Sequence, residues 1–476
     1  MDKAIGKYCS VLLLDKGQKL SSDEKYVLIQ VLFHFGMDVV VKKTVKELVR
    51  LFGMSEAVYR KNRDSLIHKG LLVECRRSIS GKGRMRKGLA FSASYLVELK
   101  ELSAKYSERK YEHLIHELLN PNGYWRLGDI NLKVDLISEE EQLHKNGESY
   151  TGLKLRPSVR IFMCILLAHS DLTGVVDGLG HADIKALTDM KRDGVVSQLS
   201  KLKDIGFLRG SISGLTGAGL FGVVKSEYLI DLAWCGFKEK VQPAVVSIFT
   251  PRPSSNQPID EASGIFNQAR RITDVDIDRG NVKEVAIRAF IHRSTPPIDS
   301  IPIFKLSPNL ASYILDGNGL NIEKMLQWRI ERYASKILSE NWTKVNPKGI
   351  PDTFYQNAVI TLGKQGDVGG DEKLLAFLMC EISYSIAKFI RSILFDLEKS
   401  LNRQKLRFQN MNHLLLPKVS DRDLMSFCLL SYPKRTRAEE AIYVMLENDK
   451  EKPNKRLMKK VDYADIPPEV ISKYCL

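Results

Sequence analysis

Hydrophobic positions between Leu20 and Leu96 follow helix spacing first and strand spacing afterwards. Three- and four-residue steps predict a first helix, a short second helix from Thr44 to Phe52, and a third helix from Ser55 to Lys69. A turn at Gly53 and Met54 separates the last two, and Gly70 ends the third. The apolar face of the first helix consists of Val27, Ile29, Val31, Leu32 and Phe35.

A hairpin is predicted directly after the third helix. Leu71–Cys75 and Leu89–Tyr95 have the composition of strands, and the segment RRSISGKGRMRKG between them contains the glycines of a hairpin connection. The predicted order is therefore helix, helix, turn, helix and hairpin.

The same order returns about 135 residues later in the chain. LRPSVRIFMCILLAHS, residues 155–170, matches LSSDEKYVLIQVLFHF, residues 20–35, and places His169 opposite His34. Residues 205–208 then match residues 69–72, and Ser211–Gly214 repeats the SISG of Ser78–Gly81. Three matches in register indicate a duplicated domain.

This element order resembles the winged helix-turn-helix family, notably in the serine that opens the third helix and the HKGLL that closes it. The resemblance implies a fold that is mainly α with small β-hairpins (α+β). Two winged-helix domains in one chain also resemble plasmid replication initiators in architecture. In that family one copy can serve dimerisation.

Composition divides the chain further. An acidic stretch around Glu139–Glu141 indicates a linker or a helical connector, and QPAVVSIFTPRPSSNQPIDEASG indicates a second linker. Beyond it, apolar residues from Asp371 to about Gln409 predict a long helix that faces a core, with a dimerisation seam as the alternative. We expect a winged-helix domain at residues 1–110, an acidic connector at 111–150 and a second winged-helix domain at 151–241. A linker at 242–264 and a helical C-terminal domain at 265–476 follow.

Charge is concentrated at the N-terminus of a chain whose net charge is +15. Residues 1–110 contain 23 Lys and Arg against 12 Asp and Glu, whereas residues 111–150 contain 3 against 8. A basic surface favours polyanions, either nucleic acid or an anionic membrane. The apolar runs are too short for a signal peptide or a membrane span, so we expect a cytoplasmic, nucleoid-associated protein without a membrane partner.

The first copy contains the candidate DNA-binding residues. Ser55 opens the third helix, and helical geometry turns Arg60, Lys61 and Asp64 outward while Tyr59 is buried. Arginine can pair with guanine in the major groove, and lysine binds phosphate. The hairpin adds six cations suited to phosphates or a minor groove: Arg76, Arg77, Lys82, Arg84, Arg86 and Lys87.

The second copy differs in its charges. Its third helix keeps Val195, Leu199 and Leu202 inward and presents Val196, Ser197 and Ser200 outward, and its hairpin tip SISGLTGAGLFG is uncharged. Lys191, Arg192, Lys201 and Lys203 could help weaker DNA binding. We favour a role in assembly through Leu215, Leu220 and Phe221.

Other chemistry has weak support in the sequence. The seven cysteines form no C-x-x-C pair and are expected to be reduced thiols, and His113 and His116 have no further ligand nearby. The G-x-G-x-x-G of residues 217–222 lies in a predicted hairpin, and Asp274, Asp276 and Asp278 lack the rest of a calcium loop. We expect no catalytic residue, metal or cofactor.

The leading hypothesis is a sequence-specific regulator of transcription that binds double-stranded DNA and forms a homodimer or higher oligomer. A replication initiator of plasmid or mobile-element type is the alternative within DNA binding. An effector or enzyme in the C-terminal part is the alternative from another class, and an assembly protein is a further one.

Overall fold

The computed structural model describes the following residues: 3–77, 86–105, 110–123, 137–145, 148–214, 224–234, 236–238, 241, 243–250, 319–345, 350, 353–357, 370–400, 407–416, 425–434, 443–448 and 456–461. The described chain is mainly helical with small sheets, which agrees with the predicted α+β class. It divides into two units. The first contains Met1–Gly210 and Glu227–Lys240, and the second contains Ser211–Ser226 and Val241–Leu476.

The first copy of the repeat begins with four helices and a hairpin. They are α1 (Lys3–Leu14), α2 (Ser22–Phe35), α3 (Val45–Phe52), α4 (Glu56–His68), β1 (Leu72–Arg77) and β2 (Arg86–Phe91), followed by α5 (Ala93–Lys105). Ser21 and Thr44 each form a capping box at the start of a helix, and Ser55 accepts a hydrogen bond from the Val58 amide. An isolated bridge from Val41 to Leu89 adds a third strand position to the hairpin.

The elements of the second copy are α6 (Glu112–Leu119), the hairpin β3 (Ile137–Lys145) and β4 (Glu148–Leu155), α7 (Pro157–His169), β5 (Val175–Val176), α8 (His181–Thr188), α9 (Arg192–Asp204), β6 (Leu208–Ile212) and β7 (Glu227–Ile230). From α7 onward the second copy has the same order of elements as the first copy has from α2 to β2, and a hairpin is inserted between its first two helices. The sheet order β5-β7-β6 corresponds to Val41, β2 and β1 in the first copy.

Left-handed backbone conformations confirm the alignment of the two copies. The residue after α3 is Gly53, with φ of 60°, and the residue after α8 is Asp189, with φ of 56°. After the third helices, Gly70 and Gly206 have φ of 72° and 73°. Both pairs are separated by 136 residues, so residues 42–72 can be compared with residues 178–208 position by position.

Equivalent helices of the two copies pack together inside the first unit. α2 contacts α7, while α1 packs on α2 and α6 packs on α7. The Gln30 side-chain amide donates to the Leu119 carbonyl at 2.7 Å, and Tyr26 and Arg160 are both fully buried. The interior of this unit therefore includes residues from both copies.

The second unit contains a five-stranded sheet, with strands in the order β12-β11-β8-β10-β9. Its elements are β8 (Ala244–Thr250), α10 (Gly319–Glu340), α11 (Gly370–Ser400), β9 (Met411–Leu415), β10 (Met425–Pro433), β11 (Tyr443–Asn448) and β12 (Arg456–Val461). β8 and β11 are parallel and the other neighbours are antiparallel. α10 packs on α11 and on β9, and Ser339 and Ser335 accept hydrogen bonds from the His413 and Leu415 amides of that edge strand.

Two segments of the first unit differ from the sequence prediction. The strand predicted at Leu89–Tyr95 ends at Phe91, because the Ser92 hydroxyl accepts from the Tyr95 amide and opens α5. Within the predicted acidic connector, Glu139–Glu141 belong to a β-hairpin that pairs β3 with β4. Asn146-Gly147, a pair favoured in two-residue hairpin connections, was the sequence signal for this hairpin.

The C-terminal prediction was incomplete. Residues 244–250 of the predicted linker form β8, the middle strand of the five-stranded sheet, so the C-terminal part is not purely helical. The long helix is confirmed over Gly370–Ser400, and Phe408–Asn410, at the end of its predicted range, form a 3-10 turn. Ile386, Ile393 and Leu397 are buried in it, which agrees with a face directed to a core.

Candidate nucleic-acid interface

The exposed face of α4 brings together four of the residues predicted from the sequence. Ser55, Arg60, Lys61 and Asp64 are all exposed, whereas Tyr59 is 1 % exposed. This outcome follows from helical geometry, because Tyr59 and Leu66 face the core and fix which side of the helix meets solvent. α4 therefore presents a polar and charged surface.

Ion pairs within α4 orient two of these side chains. Arg60 donates from Nε to Oε1 of Glu56 at 2.8 Å, and its Nη2 lies 2.6 Å from the same oxygen. Asp64 accepts from Nε of Arg63 at 2.8 Å. Lys61 lies near Asp23: burial raises the pKa of Asp23, and the positive charge of Lys61 opposes that rise.

A buried carboxylate fixes the other end of α4 to α2. Glu24 accepts from Ser65 Oγ at 2.6 Å and from Lys69 Nζ at 2.8 Å, and it also accepts from the Ser21 amide at 2.7 Å. Burial alone would raise the pKa of Glu24, but these hydrogen bonds outweigh it and lower the pKa. α4 is thus attached to α2 by polar contacts as well as by the packing of its apolar face.

The hairpin places four predicted cations in two successive cross-strand pairs. Arg76 lies opposite Lys87, and Arg77 lies opposite Arg86. Lys82 and Arg84 lie outside the described residues.

A further basic cluster lies at α3 and was missed by the sequence reasoning. It consists of four exposed residues, which we call the α3 cluster: Lys42, Lys43, Lys46 and Arg50. Lys43 Nζ is 3.8 Å from Glu47 Oε1, and the four residues lie within nine positions of the chain. The signal was present in VKKTVKELVR, where Lys46 and Arg50 are one helical turn apart in α3 and Lys42 and Lys43 precede its N-cap, Thr44.

Matched positions in the second copy lack these charges. The α3 cluster corresponds to Gly178, Leu179, Ala182 and Ala186. On α9, Val196, Ser197 and Ser200 occupy the positions of Arg60, Lys61 and Asp64, and all three are exposed or partly exposed on the predicted outer side. The Glu24 and Lys69 positions are held by Val159 and Ile205, both buried. An apolar pair thus replaces the ion pair.

The remaining predicted residues divide into two groups. Lys191 and Arg192 are exposed at the start of α9, with Lys191 at the position of Ser55. The predicted assembly residues Leu215, Leu220 and Phe221 lie outside the described residues. The described structure therefore places the first-copy residues on one exposed face of α4 and the described hairpin cations in strands β1 and β2, and it places the second-copy cations at the start of α9.

The described residues also bear on a metal site and on a membrane span. No group of three His, Cys, Asp or Glu side chains there could hold a metal ion, and no helix there is long and apolar enough to cross a membrane. Cys9 and Cys164 are free and buried, and burial raises the pKa of both thiols. No family model, curated protein or solved structure matches the chain.

Proposed function

We propose that this protein binds double-stranded DNA through the first copy, acting as a winged helix-turn-helix domain. In this proposal α4 enters the major groove, the α3 cluster contacts phosphates, and the β1-β2 hairpin is the wing. The second copy and the C-terminal unit serve assembly or regulation. The proposed process is sequence-specific control of transcription in the nucleoid.

One observation supports this proposal most directly: two copies with the same order of elements differ in surface charge at matched positions. The first copy has exposed cations at Lys42, Lys46, Arg50 and Lys61, and the second has Gly178, Ala182, Ala186 and Ser197. A duplicated fold alone would not require this difference. A phosphate-binding role for only one copy accounts for it.

Salt-dependent binding tests the proposal. The variant Lys42→Ala, Lys46→Ala, Arg50→Ala should bind duplex DNA more weakly, and log K against log salt should become less steep by about 0.9 for each phosphate that the protein no longer neutralises. The matched control removes three exposed cations elsewhere in the first unit: Lys100→Ala, Lys110→Ala, Lys238→Ala. Equal reductions of affinity in both variants would mean that net charge, and not this surface, drives binding.

Replication initiation is the second candidate function. It is favoured by the packing of α2 against α7, which joins both copies in one unit that could contact DNA at two places. Genome-wide mapping of bound sites separates the candidates. Sites at promoters, including the protein's own, support regulation, whereas repeated sites beside a replication origin support initiation.

A further inference from the structure

The Glu56–Arg60 ion pair uses one edge of the arginine guanidinium and leaves its other N–H donors available for further hydrogen bonds. Arg60 directs Nε and Nη2 at the same oxygen of Glu56, at 2.8 and 2.6 Å. A guanidinium has five N–H donors in a planar fork. With the Nε side engaged, the donors at the far end of the group remain, and these match the O6 and N7 acceptors of guanine.

Glu56 also retains an acceptor of its own. None of the described residues donates to its second carboxylate oxygen, and its side chain is 52 % exposed. A carboxylate in a DNA groove accepts hydrogen bonds from the N4 amino group of cytosine. Arg60 neutralises the carboxylate, which would otherwise be repelled by the phosphates.

The pair belongs to one copy only. Arg192 and Val196 occupy the matched positions on α9, so neither member of the pair is retained there. An exposed ion pair at i, i+4 adds little to helix stability. Its main physical consequence is the direction in which it holds the arginine.

We infer that Glu56 and Arg60 recognise a G·C base pair together, and that Glu56 sets the base specificity. This inference rests on the proposed function of α4. Arg60 supplies the contact with guanine, and Glu56 fixes the arginine and accepts from a cytosine amino group. The pair as a whole is neutral, so it contributes to the choice of sequence and little to salt-dependent affinity.

The test begins by selecting preferred duplexes from a random pool with the full-length protein. Affinities are then measured for the selected site, for the same site with each guanine replaced by 7-deazaguanine, and for random DNA. At one guanine the replacement should weaken wild-type binding about tenfold. It should have no further effect on Arg60→Ala.

Glu56 variants separate positioning from a purely structural role. Glu56→Ala should lower the preference for that base pair about tenfold, while binding to random DNA becomes tighter because a negative charge is removed. Glu56→Gln should restore part of the preference, because its amide oxygen can still accept from Arg60. Glu101→Ala removes an exposed carboxylate on α5 and should leave the preference unchanged.

The outcomes distinguish this inference from the proposed function. If Glu56→Ala remains folded by thermal melting and keeps the wild-type base preference on the selected site, the role of Glu56 is refuted and DNA binding by α4 stands. If wild-type protein selects no duplex and binds none, the proposed function fails and the inference fails with it. Loss of preference in Glu101→Ala would also refute a specific role for Glu56.

Discussion

Arg160 of the second copy donates a hydrogen bond to the hydroxyl of Tyr26 in the first copy, with 2.6 Å between Nη1 and the oxygen. Tyr26 in turn donates to the Phe52 carbonyl at 2.9 Å, at the end of α3. The guanidinium also lies over the Tyr26 ring, 5.5 Å from its centroid. A buried hydrogen-bonded chain thus connects α7 to the turn between α3 and α4.

Replacing Tyr26 with phenylalanine should therefore destabilise the first unit. The change removes one donor and one acceptor and leaves Phe52 O and one Arg160 donor without these bonds in a buried site, at a cost of about 1–3 kcal/mol. Urea unfolding of the full chain measures the change. Tyr59→Phe is the control, since Tyr59 is also buried but its hydroxyl bonds to none of the described residues. Equal destabilisation by both variants would contradict a special role for this chain of hydrogen bonds.

Buried cations occupy matching positions in the two copies. Lys25 and Arg160 correspond in the alignment of residues 20–35 with 155–170, and both are almost fully buried. Lys25 donates to the Leu13 and Asp15 carbonyls at the end of α1, and Arg160 donates to the Asn120 carbonyl just beyond α6. Each cation caps the end of the first helix of its own copy. The repeat therefore extends upstream to include α1 and α6.

The sequence predicted the order of elements in the repeats well because their signals are local. Thr44 and Ser55 cap helices, Gly53 and Gly70 end them, and buried positions recur at helical spacing. The outward direction of Arg60 followed from the same periodicity. The polar network around Glu24 could not be predicted, because Ser65 and Lys69 follow Glu24 in the chain by 41 and 45 positions.

Gly53 offers a test of close packing between the copies. Its φ of 60° already disfavours a side chain, and a Cβ there would lie 2.9 Å from Lys154 Nζ and from the Pro121 carbonyl oxygen. Gly70, with φ of 72°, has nothing within 4 Å of such a Cβ. We expect Gly70→Ala to cost about 1 kcal/mol of unfolding free energy and Gly53→Ala about 2–3 kcal/mol.

The difference between these two variants isolates the steric part, because the backbone penalty is nearly the same. It is measured by chemical unfolding at one pH. If Gly70→Ala is as destabilising as Gly53→Ala, the segment containing Pro121 and Lys154 does not pack closely on the end of α3.

Glu24 predicts a pH dependence in the acid range. Its pKa is lowered in the folded state, so the folded protein binds fewer protons than the unfolded one. The stabilisation is complete above the unfolded value of about 4.3 and disappears as pH falls through the lower folded pKa. Glu24→Gln should therefore be less stable than wild type by about 1–3 kcal/mol near pH 6, and the difference should shrink towards pH 3.

Glu47→Gln provides the matched control, since Glu47 has the same capping-box position in α3 but its side chain is 52 % exposed. We expect a smaller loss of stability there. A Glu24→Gln difference that stays constant from pH 6 to pH 3 would show that the charge of Glu24 is not what stabilises the contact with α4.

The five-stranded sheet escaped the sequence analysis because its strands pair over long distances. β8 lies between β11 and β10, whose residues are about 180 or more positions away in the chain. The prolines and serines around AVVSIFT indicated a linker, and nothing local to that segment identifies its partners. The sequence of a single strand does not show which distant strand it pairs with.

His413 joins three parts of the second unit. Its Nε2 lies 3.0 Å from the Phe408 carbonyl oxygen, which can only accept, so Nε2 carries the proton and Nδ1 accepts from Ser431 Oγ at 2.9 Å. The ring stacks on Trp342 with centroids 5.6 Å apart. Burial lowers the pKa of His413 from 6.5 to about 3, opposed by the Phe408 bond and assisted by Lys434.

The sign of this shift predicts that the second unit becomes less stable in mild acid. Between pH 6.5 and 3 the unfolded state binds a proton at His413 that the folded state excludes. The free energy of unfolding therefore decreases as the pH is lowered, by up to about 1.4 kcal/mol per pH unit. After correction for intrinsic exchange, hydrogen exchange at β9 in the wild type should accelerate as the pH is lowered from 6.5 to 3. His413→Gln should be less stable at pH 7 but should show little of the slope. Ser431→Ala removes the bond to Nδ1 and keeps the titrating ring, so it should lower stability and retain the slope. If exchange at β9 in wild type is independent of pH between 4 and 7, after correction for intrinsic exchange, His413 does not remain neutral and buried as described.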